Sequence, residues 1–119
     1  MNKEELKKRT KTDAVSIIKL CNILPKTIAG FEIAKQVIRS SMSVSSNYRA
    51  ACRAKSQSDF IYKIAIIIEE ADETLFWLEI IEEAELLKPD KLKLLMKEYS
   101  ELIAIFSASS KTAKLNLRK

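Results

Sequence analysis

The 119-residue chain predicts an all-α fold, an antiparallel up-and-down four-helix bundle. Three observations lead there. The chain has one glycine and two prolines, so there are few places where a helix must stop. Apolar residues recur at spacings of three and four, the period of a helix with one buried stripe. The few breakers leave links so short that successive helices must lie side by side and antiparallel. A length of 119 residues, 47% hydrophobic and 31% charged, suits one compact domain over residues 1–119.

The first helix is expected from about Lys3 to Leu24, with Leu6, Ala14, Ile17, Ile18 and Cys21 inward and Pro25 as its stop. Pro25–Gly30 forms the link. The second helix begins at Ile28 or Phe31 and runs to Ala54. Ser56-Gln57-Ser58-Asp59 matches a capping box with Asp in the place of Glu, so the third helix starts there and continues to about Leu87. Pro89 suits the first position of the fourth helix, and Asp90 suits its positive end. That helix is expected to run to Ser110, leaving residues 111–119, KTAKLNLRK, as a basic, frayed tail.

The omissions restrict the chemistry. The chain has no histidine, which removes the commonest general base and metal ligand. A single glycine cannot build a phosphate-cradling loop. Two cysteines, Cys21 and Cys52, are too few for a structural zinc site. Glu69, Glu70, Asp72 and Glu73 could at most hold a hard cation such as Mg²⁺, and no nucleophile–base pair can be assembled. The expectation is therefore no enzyme, no metal and no cofactor. No apolar run approaches the roughly 20 residues of a membrane span. The N-terminal MNKEELKKRTKTD has no apolar signal region behind it, so the expected location is the cytoplasm, without a membrane partner.

The second helix carries three faces. Phe31, Ala34, Val37, Ile38, Ser41, Val44, Ser45, Tyr48, Ala51 and Cys52 form the core stripe, which makes Cys52 a small buried hydrophobe. Lys35, Arg39, Arg49 and Arg53 form a basic stripe interrupted by Met42 and Ser46. It is open to two readings, a track for phosphates or a partner for the third helix's Glu69, Glu70, Asp72 and Glu73. Gln36, Ser40, Ser43, Asn47, Ala50 and Ala54 form a third face that is small or polar at nearly every position, suited to close helix contact within the chain or between subunits. The third helix has one apolar stripe of Phe60, Ile64, Ile67, Ala71, Leu75 and Leu78. Opposite it lies a second set, with Tyr62, Ile66, Phe76, Trp77, Ile80 and Ala84. A helix of a monomeric bundle needs only one such stripe, so a homo-oligomer is expected, with Gln36, Ser40, Ser43, Asn47, Ala50, Tyr62, Ile66, Trp77 and Ile80 as candidate interface residues.

The net charge is +5, distributed as +8 over residues 1–55, −7 over 56–88 and +4 over 89–119. The stretches GFEIAKQVIRSSMSVSSNYRAACRAKSQSDF and KIAIIIEEADETLFWLEII resemble the bacterial four helix bundle proteins encoded by intervening sequences of 23S ribosomal RNA genes, a family often labelled ribosomal protein. Gln36, Arg39, Ser40, Ser43, Asn47, Tyr48, Arg49, Arg53, Phe60, Lys63, Glu69, Glu70, Asp72, Glu73 and Trp77 are among the residues that carry the likeness, which spans about residues 8–105. The resemblance implies a small helical bundle that assembles as a homopentamer, with distant relatives that bind nucleic acid and a reverse transcriptase.

Two functional expectations follow. The first is a non-enzymatic, nucleic-acid-binding oligomer that contacts RNA or DNA backbone through Lys35, Arg39, Arg49, Arg53, Lys7, Lys8, Arg9 and Lys11, with Lys111, Lys114, Arg118 and Lys119 of the tail. The second is a structural or adaptor oligomer that binds another protein, its cations consumed in ion pairs. Pairing of Arg39 and Arg49 with Glu70 or Glu73 would favour the second.

Overall fold

A computed structural model describes residues 1–118. It contains four helices and, among the described residues, no strand: α1 (Lys3–Cys21), α2 (Ile28–Ala51), α3 (Gln57–Glu83) and α4 (Pro89–Leu117). They pack in chain order around one core, α1 against α2, α2 against α3, α3 against α4, with α1 closing on α4 over the shortest contact. The result is a rod of 52 × 21 × 19 Å. Ile17, Val37, Val44, Ile64, Ile67, Leu78, Ile81, Leu92, Leu102 and Phe106 are fully buried in its core. Each such side chain contributes roughly 1.5–3 kcal/mol by leaving water. Tyr48 and Phe106 meet across the bundle with ring centroids 5.4 Å apart.

Side chains written into the sequence start three of the helices. Asn2 Oδ1 accepts from the Glu5 amide at 2.8 Å, and Asn2 Nδ2 donates back to the Glu5 carboxylate at 2.9 Å. The Gly30 amide donates to Thr27 Oγ1 at 3.1 Å. The Asp59 amide donates to Ser56 Oγ at 3.0 Å, while Asp59 accepts from the Lys55 amide at 3.1 Å, so the expected capping box is present with its return bond one residue upstream. Pro89 opens α4 as expected.

The helix ends differ from expectation. α1 ends at Cys21 rather than Leu24, because the chain tightens into i→i+3 turns at Ile23 and Leu24 before Pro25. A Cβ on Gly30 would collide with the Pro25 carbonyl, so the one glycine permits a close backbone approach rather than an unusual φ. α2 ends at Ala51, not Ala54. α3 ends at Glu83, not Leu87, where Glu85 takes a left-handed φ of 55°. The Leu86 amide bonds to the Ile81 carbonyl and the Glu85 amide to that of Glu82, which makes a Schellman stop without the usual glycine. α4 does not fray after Ser110. It continues to Leu117 because Ser110 and Ala113 are buried and Gln57 Nε2 donates to the Ala113 carbonyl at 3.2 Å. Lys119 lies outside the described residues.

Burial also corrects some core assignments. Phe31 is 61% exposed, because it lies in the first turn of α2, and Ile18 is 38% exposed on the outer side of α1. Ser45, Cys52, Phe60 and Leu75 are half-buried. Thr10 and Asp13 are buried instead, on the side of α1 that meets α4.

Candidate nucleic-acid interface

The basic stripe of α2 divides in two. At its upstream end Arg39 bridges to α3, donating to Glu70 at 3.1 Å and to Glu73, whose carboxylate also accepts from Trp77 Nε1. Lys35 faces Glu32 on its own helix at 3.7 Å. At the downstream end Arg49 and Arg53 are exposed, and among the described residues neither has a carboxylate within ion-pair distance. The ion-pair reading therefore holds for the upstream half of the stripe, and the downstream half is left without an ion pair among the described residues.

Antiparallel packing then brings other cations to Arg49. Lys7, Lys8 and Lys11 of α1 stand across a groove of about 580 Å³ from Arg49, Ser45 and Ser46 of α2. Ala14, Val15, Ile18 and Met42 form its apolar floor. Arg9, one residue from Lys8, points the opposite way. It donates to Glu98 through two nitrogens at 2.6 Å each and reaches Glu101 at 3.3 Å, so it is no free phosphate contact.

The contacts Gln57–Ala113, Ser40–Thr74 and Arg9–Glu98 set the levels of the four helices. Leu6 lies level with Ile105, and Arg9 with Glu98, so residues 1–6, 48–66 and 104–118 share one half of the rod. That half carries eight Lys or Arg and three Asp or Glu, whereas residues 7–47 and 67–103 carry twelve and thirteen. The molecule is thus positive at one end and close to neutral over the rest. Lys111 and Lys114, which expectation left in a frayed tail, stand on α4 in the positive half, and Arg118 is its C-cap.

The small face of α2 meets α3 of the same chain. Ser40 is fully buried, with Thr74 Oγ1 2.8 Å from its hydroxyl, so it is unavailable to a second copy. Asn47 Nδ2 donates to the carbonyl and hydroxyl of Ser43 at 2.9 Å each. Gln36, Ser43, Asn47 and Ala50 are half-buried, as are Ile66, Trp77 and Ile80, while Tyr62 is exposed.

Asp13, on no candidate surface, is the polar residue the sequence reading missed. It is buried on α1, and its Oδ2 has no hydrogen-bond partner among the described residues. Burial, then the neighbouring Glu98 carboxylate, pushes its carboxyl up to about 8. Glu98 is held below the usual range by its bonds from Arg9. The signal was a lone acid at the a/d-like spacing of Leu6, Thr10, Asp13 and Ile17. Burial pushes the Cys21 thiol up to about 11, away from nucleophilic use. Among the described residues no three acids or cysteines lie close enough to hold a metal, and no helix is long and apolar enough to cross a membrane.

A family model described as 23S rRNA-intervening sequence protein matches residues 3–108. The chain belongs to that family. A crystal structure from Bacteroides thetaiotaomicron, of a protein with unknown function from the S23 ribosomal protein family, superposes with a TM-score of 0.85. The two are 30% identical, over 93% of this chain and 99% of that one. No curated protein matches the chain. The family match ends at residue 108, so Lys111, Lys114 and Arg118 lie beyond it.

Proposed function

We propose that this family member is a non-enzymatic, cytoplasmic homo-oligomer that binds RNA or DNA through the backbone. The observation that carries the reading is the positive half of the rod, with eight cations against three anions. Arg53, Lys111, Lys114 and Arg118 are its core contacts. Lys7, Lys35, Arg39 and Arg9 drop out as contacts, because each already faces a carboxylate, and Lys8, Lys11 and Arg49 line a groove with an apolar floor. Repetition of a modest patch around an oligomer, a pentamer in the family resemblance, multiplies its avidity without any new contact. Among the described residues the only exposed ring in the positive half is Tyr62, which argues for phosphates rather than stacked bases.

Titration with RNA and with duplex DNA at low and moderate salt tests this. Binding should be strongest at low salt and fall steeply as salt rises. Arg53→Glu with Lys114→Glu should weaken it at least tenfold, and Lys35→Glu should leave it nearly unchanged. Absence of binding at low salt overturns the reading. A protein-binding adaptor is the second reading, favoured by one observation, the commitment of Arg39 to Glu70 and Glu73.

A further inference from the structure

We propose that the α1–α2 groove receives the outward face of α3 from a second copy of the chain, head to tail. This rests on the homo-oligomer reading above and names the two surfaces that meet. On one side Val15, Ile18 and Met42 are 44%, 38% and 49% exposed, an apolar floor that nothing in the chain covers. Lys8, Lys11 and Arg49 rim it, and among the described residues none of the three is in an ion pair.

On the other side Glu69, Asp72, Phe76 and Glu79 follow one another at helical spacing along the outside of α3. Phe76 is 48% exposed, and the three acids are exposed without an ion-pair partner among the described residues. Glu70 and Glu73, one turn-step away, are already held by Arg39. The two surfaces are complementary, an apolar floor between cations and an aromatic ridge between carboxylates. They also match in length. Lys8 to Ile18 and Glu69 to Glu79 each span ten residues, about 15 Å of helix.

The apolar floor decides between occupants. A phosphate backbone uses the cationic rim and gains nothing from Val15, Ile18 and Met42, whereas an amphipathic helix uses both. Because the two faces differ, the contact is heterologous, and repeating it generates a ring or a filament. Docking neutralises the acids of α3 and leaves Lys111, Lys114 and Arg118 at the bundle end, where the nucleic-acid reading needs them.

Light scattering on three variants of the full chain tests the proposal, with circular dichroism confirming helix content. The wild type should give a multiple of 13.6 kDa at micromolar concentration. Lys8→Glu with Lys11→Glu should dissociate to the monomer, as should Asp72→Lys with Glu79→Lys. All four together should restore the wild-type mass. A second measurement needs no variant: the wild-type dissociation constant should rise about tenfold from low to moderate salt as the charges are screened. Wild-type mass in either pair variant, or no recovery in the combined one, overturns the inference while leaving the oligomer reading intact. A monomeric wild type overturns both. Loss of RNA binding in the lysine pair with the mass unchanged assigns the groove to phosphate and also overturns it.

Discussion

The α2–α3 and α1–α4 seams both bury polar groups, and they do so to opposite effect. At α2–α3 the buried groups are hydroxyls. Ser40 reaches the Val37 carbonyl at 3.3 Å, Thr74 reaches the Glu70 carbonyl at 2.9 Å, and the two hydroxyls meet at 2.8 Å. Small, satisfied side chains let the helices approach closely over a long contact. At α1–α4 the contact is the shortest of the four, and the buried group is a carboxyl with an unpartnered oxygen. Arg9 is the clamp on that seam, gripping Glu98 and Glu101. A satisfied hydroxyl pair costs a bundle little, whereas a buried carboxyl makes its seam sensitive to protons.

Replacing Asp13 should give the largest effect. An acid whose folded-state value is raised loses stability as pH climbs from its unfolded value, near 4, to its folded value, about 8, and changes nothing further above that. Glu98 has the opposite sign, contributing above its unfolded value and losing that contribution as pH falls. The chain has no histidine, so no imidazole titrates in the same window. Urea unfolding should show stability falling across that window by at most about 4 kcal/mol. Asp13→Asn should flatten the profile. An equally steep slope in the variant would remove Asp13 as its cause.

The two arginine clamps sharpen the comparison. Arg9→Ala leaves Glu98, 20% exposed, without its partner and should cost about 2 kcal/mol. Arg39→Ala removes a cation that is itself 48% exposed and should cost under about 1 kcal/mol. Equal losses by chemical denaturation would show that the seams do not differ in this way.

The hydroxyl pair gives an effect as small as that of Arg39. Thr74→Val should cost under about 1 kcal/mol by removing the hydroxyl that donates to Ser40, and adding Ser40→Ala should recover part of it. A strictly additive double-variant cycle would mean that the two hydroxyls do not act together.

The capping residues made the helix starts legible. Ser56, Thr27 and Pro89 act locally, through bonds to amides within one turn or through a fixed φ. The stops were less legible because they depend on what lies beyond the helix. Glu85 takes a left-handed turn that its identity does not advertise, and α4 persists past Ser110 only because Ala113 and Gln57 meet there. Of the candidate contacts, Arg49, Lys7, Lys8 and Lys11 converge on one groove. Arg39 and Arg9 were equally basic in the sequence, but each lies opposite a carboxylate on another helix.

Composition and apolar period by themselves determined the class of fold, the number of helices and the identity of most core residues of α1 to α3. These depend on residues close together in the chain and on the 3.6-residue turn. Only the tertiary structure decided which charges are spent and which are free, and that two basic stretches far apart in sequence, 48–66 and 104–118, form one positive end. Charge acts through space, and helices antiparallel over a 52 Å rod bring residue 8 beside residue 49 while keeping it far from residue 20.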